Sequence, residues 1–195
     1  MMRLLVMLLV AIPLSGAAQQ TRPPEQRSDD PDYRRPSSGS IPPFRLDYFA
    51  GAWTFDWDVP DSIFGEGGTI TGTETFTCSP DGKSCDSTLK ATTPSGSFAQ
   101  TARLTYDESA HTLTRVEKDS RGFEVRHAGQ LSSDQGFHQI SYTSSPFRYQ
   151  GKSVQLKTSA SMTAPGAYRV RFQLSVDDGP FESFGNPWWR KAPGP

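Results

Sequence analysis

Apolar and polar residues alternate strictly along one stretch of the chain, residues 53–59. The side chains of one parity would share a face: Trp53, Phe55, Trp57 and Val59. Thr54, Asp56 and Asp58 would lie on the opposite face. Because successive side chains of a β-strand point to opposite faces, this pattern predicts a half-buried strand with an aromatic inner face.

The same alternation recurs in short segments along the rest of the chain. Residues 69–78 would place five threonines on one face and Glu74 among apolar side chains on the other. Turn sequences such as residues 80–82 (PDG) and 164–166 (APG) separate the segments. Short amphipathic strands joined by tight turns predict an antiparallel up-and-down meander, and closure into a barrel of about eight to ten strands would remove exposed edges. The sequence therefore predicts an all-β fold.

A short motif precedes the aromatic strand. The motif has the form L-x-x-F-x-G-x-W and consists of Leu46, Phe49, Gly51 and Trp53. One helical turn would bring Leu46 and Phe49 to the same side, and Gly51 would then allow a tight turn into the strand. This motif resembles the opening of lipocalin-like (calycin) barrels, where a short helical turn leads into a Gly-x-Trp strand. Residues 68–76 are similar to the second strand of small exported bacterial members whose function is unassigned.

The resemblance implies a role for three residues at the closed end of the barrel. In lipocalins the Trp packs beneath a basic side chain near the last strand. Arg190 would match that side chain, giving Trp53 a cation–π contact of about 0.5–2 kcal/mol, and Gly51 would complete the barrel end. The other lipocalin motifs are missing, so the resemblance does not imply the classical transport of retinoid-like ligands.

The chain divides into four segments. Residues 1–18 are typical of a signal peptide, with Arg3, an apolar run over 4–14 and a cleavage position near Ala17/Ala18. The run is too short for a stable membrane span, although an uncleaved anchor is the alternative. Residues 19–43 predict a disordered Pro-rich linker, 44–191 the lipocalin-like barrel and 192–195 a tail. We expect an exported protein, periplasmic or secreted, with no membrane span in its mature form.

Two cysteines flank a turn sequence. Cys78 and Cys85 bracket residues 79–84, which contain Pro-Asp-Gly. The turn would bring the two thiols together, and in an oxidising compartment they should form a disulfide worth roughly 2–3 kcal/mol. A redox or metal site would need closer spacing or further ligands.

Charge and motifs exclude several classes of function. The formal net charge is −1 with both signs interspersed, which argues against nucleic-acid binding and against a polybasic membrane patch. No nucleophile elbow, zinc signature or phosphate-binding loop occurs in the sequence. We therefore predict no catalytic residues, no metal and no cofactor.

Strand parity places a set of polar and aromatic side chains on inward faces. A carboxylate and imidazoles in an apolar cavity could orient a small ligand. The candidate ligand-binding residues are Trp57, Glu74, Tyr106, His127, His138 and Tyr142. The alternative interpretation is that each lies at a strand end near solvent, where parity has no consequence.

The leading hypothesis is an exported protein that binds a small apolar or amphipathic molecule in the barrel. The first alternative is an envelope accessory or interaction protein with a filled barrel, using Trp188 and Trp189. Two further alternatives are a calycin-type enzyme built around Glu74 and a histidine, and a haem-binding barrel with an inward histidine. Cavity size would separate the first two hypotheses, since a drug-sized ligand needs roughly 300 Å³ or more.

Overall fold

A computed structural model describes residues 43–133 and 137–193. A 3₁₀ turn (Leu46–Phe49) precedes the strands. The strands are β1 (Gly51–Val59), β2 (Gly68–Cys78), β3 (Ser84–Thr93), β4 (Gly96–Asp107), β5 (Thr112–Asp119), β6 (Phe123–Ser132), β7 (His138–Ser144), β8 (Phe147–Tyr149), β9 (Lys152–Ala164), β10 (Ala167–Val176), β11 (Glu182–Ser183) and β12 (Trp188–Lys191). The predicted signal peptide and nearly all of the predicted linker lie outside the described residues.

Within the described part of the chain, ten strands close into an antiparallel ring. The order runs β1 to β7, then β9, β10 and β12, and β12 pairs with β1 to complete the ring. The short strands β8 and β11 pair only at the margins, with β9 and β10. The predicted all-β meander and its closure into a barrel are therefore confirmed.

Alternation along each strand separates the barrel interior from its outer surface. In β2, Ile70, Glu74 and Phe76 are buried, whereas the five threonines at the intervening positions are exposed. Trp53 in β1 is completely buried, and its indole nitrogen donates a hydrogen bond to the carbonyl oxygen of Phe49 at 2.6 Å. The inward faces thus form one interior, as the sequence pattern predicts.

The 3₁₀ turn closes one end of the barrel. Leu46 and Phe49 are buried there, and the hydroxyl of Tyr48 donates to the carbonyl oxygen of Ala164 at 2.7 Å. Burial raises the pKa of Tyr48 to about 12. Cys78 and Cys85 face each other across β2 and β3 at the same end and form the predicted disulfide.

The predicted contact between Arg190 and Trp53 is wrong by one residue. Lys191 places its amino nitrogen 5.4 Å from the Trp53 ring centroid, whereas the Arg190 guanidinium lies 5.8 Å from the Trp188 ring. The reason is strand register, because residues directly opposite in an antiparallel pair share a face. Lys191 pairs with inward Trp53, and Arg190 pairs with outward Thr54.

Two inward glycines make room for aromatic rings from the neighbouring strand. Gly72 lies opposite Phe55, and Gly129 lies opposite Tyr142. A Cβ at Gly129 would lie 2.5 Å from Cδ1 of Tyr142, well inside van der Waals contact. The absence of a side chain at Gly129 therefore sets where the Tyr142 ring lies in the interior.

We predict that Gly129→Ala destabilises the barrel by about 1–3 kcal/mol, because the added methyl group overpacks the interior against Tyr142. Gly166→Ala is the matched control, since nothing lies within 4 Å of a Cβ at that position. Its stability should change by no more than about 0.5 kcal/mol. Urea denaturation of both variants measures the difference, and equal stability of the two would contradict the packing argument.

Candidate ligand-binding cavity

The barrel interior contains a cavity of about 160 Å³. Most of its wall is aromatic and aliphatic, and this part includes Phe55, Phe76, Ile140, Val170, Phe172 and Trp189. The wall also includes Phe64 from the β1–β2 connection and Ser95 from the β3–β4 turn. Both connections lie at the barrel end opposite the 3₁₀ turn, so the cavity extends towards the end that the turn does not close.

A group of charged side chains lies inside the barrel beside this cavity. We call it the buried ion cluster, and it consists of Glu74, Arg115, Glu117 and His127. Arg115 reaches across the interior from β5 and donates to Glu74 of β2 at 3.2 Å, and its Nε donates to Glu117 at 2.9 Å. The indole nitrogen of Trp189 donates to the second oxygen of Glu74 at 3.1 Å. One carboxylate therefore connects β2, β5 and β12.

The inward face of β5 supplies two members of the buried ion cluster. Leu113, Arg115, Glu117 and Asp119 have the same parity, and Val116 lies on the other face. The sequence analysis assigned no face to this strand, so it missed Arg115 and Glu117. The signal was present in the parity shared with Leu113, but polar residues outnumber apolar ones on this inward face.

Two members of the buried ion cluster, Glu117 and Arg115, are held in the ionised state by charges around them. Burial alone would raise the pKa of Glu117, but Arg115 and His127 lower the pKa of that carboxyl to about 2. Burial would likewise lower the pKa of Arg115, yet Glu74 and Glu117 keep it above its usual value. Glu117 is thus an anion that can only accept hydrogen bonds.

His127 is the least satisfied member of the buried ion cluster. It is 3% exposed, and its Nε2 lies 3.2 Å from an oxygen of Glu117, close enough for an ion pair when the ring is protonated. The contact is misaligned, however, and neither ring nitrogen makes a hydrogen bond within the described residues. Because hydrogen bonds weaken steeply at poor angles, the short distance alone does not satisfy the ring nitrogen. Buried polar atoms without a partner are rare in folded proteins.

A second polar pair lies near the open end of the barrel. Arg121 and Asp119 form an ion pair with Nη2 2.6 Å from Oδ2, and Gln100 donates to the same carboxylate at 2.7 Å. The guanidinium of Arg121 lies 4.1 Å from the centroid of the Phe98 ring. Arg121 therefore covers part of the cavity mouth, and the described residues satisfy its charge.

Four of the six candidate ligand-binding residues line the cavity: Trp57, Glu74, His127 and Tyr142. The ring of Trp57 stacks on Phe172 at 4.4 Å, and its indole nitrogen donates to the carbonyl oxygen of Phe184. The ring of Tyr142 lies edge-on to His127, with centroids 6.2 Å apart. That these four residues bind a ligand remains a prediction.

Tyr106 and His138 do not line the cavity. Both rings pack against Phe44, at centroid distances of 5.2 and 5.4 Å. They lie at the ends of β4 and β7 near the 3₁₀ turn, so their inward parity does not bring them to the cavity. For these two residues, the structure favours the alternative of a strand-end position.

The geometry also bears on the enzyme hypothesis, which required Glu74 within hydrogen-bonding reach of an inward histidine. The contacts of Glu74 are instead Arg115 and Trp189. The carboxylate beside His127 belongs to Glu117. Glu74 therefore contacts a guanidinium and an indole in place of the histidine that the enzyme hypothesis required.

No protein-family model and no curated protein matches this chain. The barrel is similar to the crystal structure of Rv2717c from M. tuberculosis, with a TM-score of 0.63, 11% identity, and coverage of 76% of this chain and 95% of that one. Two further structures are more distant. A redesigned β-barrel has a TM-score of 0.41 and 11% identity, with coverage of 76% of this chain and 96% of that one. EF1p2_mFAP2b bound to DFHBI has a TM-score of 0.43 and 12% identity, with coverage of 76% of this chain and 98% of that one. The similarity to Rv2717c, at this identity, supports the barrel fold alone.

We predict that Arg115→Leu destabilises the protein by about 3–5 kcal/mol, because it leaves two buried carboxylates without their shared cation. Arg103→Leu is the matched control, since Arg103 pairs with Asp86 on the surface, where both side chains are at least 60% exposed. That variant should lose no more than about 1 kcal/mol. Urea denaturation measures the free energy of unfolding of both variants. Equal losses would show that burial does not increase the contribution of an ion pair to stability.

Acid should weaken the fold through Glu117. Its pKa falls from 4.5 to about 2 on folding, so between these values the unfolded chain binds the proton and the folded protein does not. The contribution of Glu117 is therefore complete above pH 4.5 and is lost as the pH falls towards 2. Denaturation midpoints measured across this range should fall less steeply in Glu117→Gln than in the wild type. Parallel curves would contradict the assignment.

Proposed function

We propose that this chain is an exported binding protein of lipocalin-like type that holds a small apolar or amphipathic molecule inside its barrel. The observation that carries the proposal is the interior cavity, which has a mainly apolar wall and a charged group on one side. An apolar pocket with a few convergent polar groups is the usual form of a small-molecule site.

The size of the cavity restricts the ligand. A volume of about 160 Å³ is roughly half of the 300 Å³ at which drug-sized sites begin. It is close to an engineered apolar cavity of about 150 Å³ in another protein that binds benzene. We therefore propose a ligand about as large as one substituted six-membered ring.

Two features support export, and a third supports the lipocalin-like type. The disulfide between Cys78 and Cys85 is typical of an oxidising compartment, and residues 1–18 have the pattern of a secretory signal. At the closed end, Leu46, Phe49 and Trp53 belong to one buried cluster, and the indole of Trp53 donates to the carbonyl oxygen of Phe49, which supports the lipocalin-like type. Among residues 43–133 and 137–193, no helix has the length and hydrophobicity of a membrane span.

A second candidate is an accessory protein that binds a partner through the outer wall of the barrel. Trp188 is half-buried on that wall, and the guanidinium groups of Arg169 and Arg190 lie 5.7 and 5.8 Å from the centroid of its ring. The cavity volume below 300 Å³ also favours this candidate over a carrier of larger ligands. Trp189, by contrast, points inward and is buried.

Native mass spectrometry of protein purified from its source tests the proposal. We expect a co-purified small molecule, and a polypeptide mass that corresponds to cleavage near Ala18. Ala160→Leu should lose the bound molecule, because Ala160 is buried and lines the cavity. Ala52→Leu adds the same atoms at an exposed position and should retain it.

A second measurement covers the case in which a natural ligand is lost during purification. Toluene should shift the backbone amide resonances of cavity-lining residues in the wild type and in Ala52→Leu, but not in Ala160→Leu. A wild-type protein that carries no bound molecule and shows no response to toluene would overturn the cavity proposal and favour the outer-wall candidate.

A further inference from the structure

Two polar groups on the cavity wall have no hydrogen-bond partner among the residues that the structure describes. Arg115 uses Nε and Nη2 for Glu117 and Glu74, and no hydrogen bond from Nη1 is present within the described residues. The Tyr142 hydroxyl likewise makes none. Both atoms keep some accessible surface. Among the described residues, the fully buried side-chain nitrogens and oxygens without a hydrogen bond are Nδ1 and Nε2 of His127. Both residues line the cavity, so both groups are open to a ligand there.

Both groups present hydrogen-bond donors to a ligand. The guanidinium carries N–H groups and no acceptor, and the Arg115 side chain retains 19% exposure. Burial raises the pKa of Tyr142 well above its usual value, so this residue keeps its proton and can donate. Arg115 lies directly opposite His127 on the neighbouring strand, and the Tyr142 ring lies 6.2 Å from the His127 ring, so both donors lie on the side of the cavity that contains His127. The complementary ligand group is an oxygen acceptor.

The charges around the cavity favour a neutral acceptor over an anion. In the buried ion cluster, Glu74 and Glu117 face one guanidinium, so one negative charge is uncompensated before His127 is counted. A protonated His127 brings the balance to zero and not to a surplus of positive charge. At the open end Arg121 is neutralised by Asp119. An anionic ligand would therefore meet no net positive charge to offset its desolvation.

We propose that the cavity selects small neutral ring molecules that carry a carbonyl-type oxygen, and that the Tyr142 hydroxyl and the Nη1 group of Arg115 donate to that oxygen. This inference rests on the proposed function, since it assigns the chemistry of the ligand in the same cavity. The apolar wall accommodates the ring, and the ion pairs with Glu74 and Glu117 hold the guanidinium in place while leaving Nη1 for the ligand.

Three probes of nearly equal size test the inference by NMR titration. Acetophenone carries the acceptor oxygen, α-methylstyrene replaces it with a CH₂ group of similar shape, and benzoate carries a full negative charge. The wild type should bind acetophenone more tightly than α-methylstyrene, and benzoate most weakly. In a cavity without donors the order of the first two would be reversed, because the carbonyl would lose its hydrogen bonds with water.

Tyr142→Phe removes one donor and leaves the ring in place. We expect the preference for acetophenone over α-methylstyrene to fall by about fivefold to tenfold, the usual effect of one hydrogen bond. Tyr106→Phe is the matched control, since Tyr106 packs against Phe44 away from the cavity, and its preference should equal that of the wild type. The carbonyl stretching frequency of bound acetophenone should rise in Tyr142→Phe and remain unchanged in Tyr106→Phe.

The outcomes separate this inference from the proposed function. Failure of both neutral probes to bind the wild type would overturn the proposed function and the inference with it. Binding of both with the same preference in the wild type and in Tyr142→Phe would leave the cavity proposal standing and overturn the donor assignment. Tighter binding of benzoate than of acetophenone would overturn the choice of a neutral ligand.

Discussion

A carboxylate cannot remain ionised inside a barrel unless other groups compensate it, and this constraint organises the interior of the protein. Glu74 is 2% exposed, and its two oxygens accept hydrogen bonds from Arg115 and from Trp189. The three residues belong to β2, β5 and β12, and no two of these strands are adjacent in the ring. The ion pair therefore links β2 to β5 through the interior, and its cost of desolvation is recovered only when the barrel is correctly assembled.

The same interaction explains why the barrel holds a small cavity and is neither empty nor completely filled. Arg115 occupies the interior beside the cavity, while Gly72 and Gly129 allow the rings of Phe55 and Tyr142 to lie against the wall. Polar atoms that do not take part in the ion pair remain available on the cavity surface. A core of aliphatic side chains would be easier to stabilise, but it would offer a ligand no hydrogen bonds.

The sequence predicted most of the architecture because strand parity is a local property. Alternation identified the inward face of β2 and so placed Glu74 inside, and the L-x-x-F-x-G-x-W motif identified the closed end around Trp53. Parity does not tell how far along the barrel axis a residue lies. For this reason Tyr106 and His138 were grouped with residues of the cavity. Register between distant strands is also absent from local patterns, so the basic contact to Trp53 was assigned to Arg190 instead of Lys191. On β5 the buried face is mostly charged, so the alternation of apolar and polar residues does not identify Arg115 and Glu117 as inward-facing.

The four-residue strand β12 joins the first strand of the barrel to β10 and carries Trp189 into the interior. A nascent polypeptide that has been synthesised as far as β10 would thus have an open sheet, with the backbone groups of β1 and β10 unpaired at its two margins. Such margins are sites at which chains associate with one another during biosynthesis. Pairing of this one short strand with both β1 and β10 is therefore the step that protects the two edges from association with other chains.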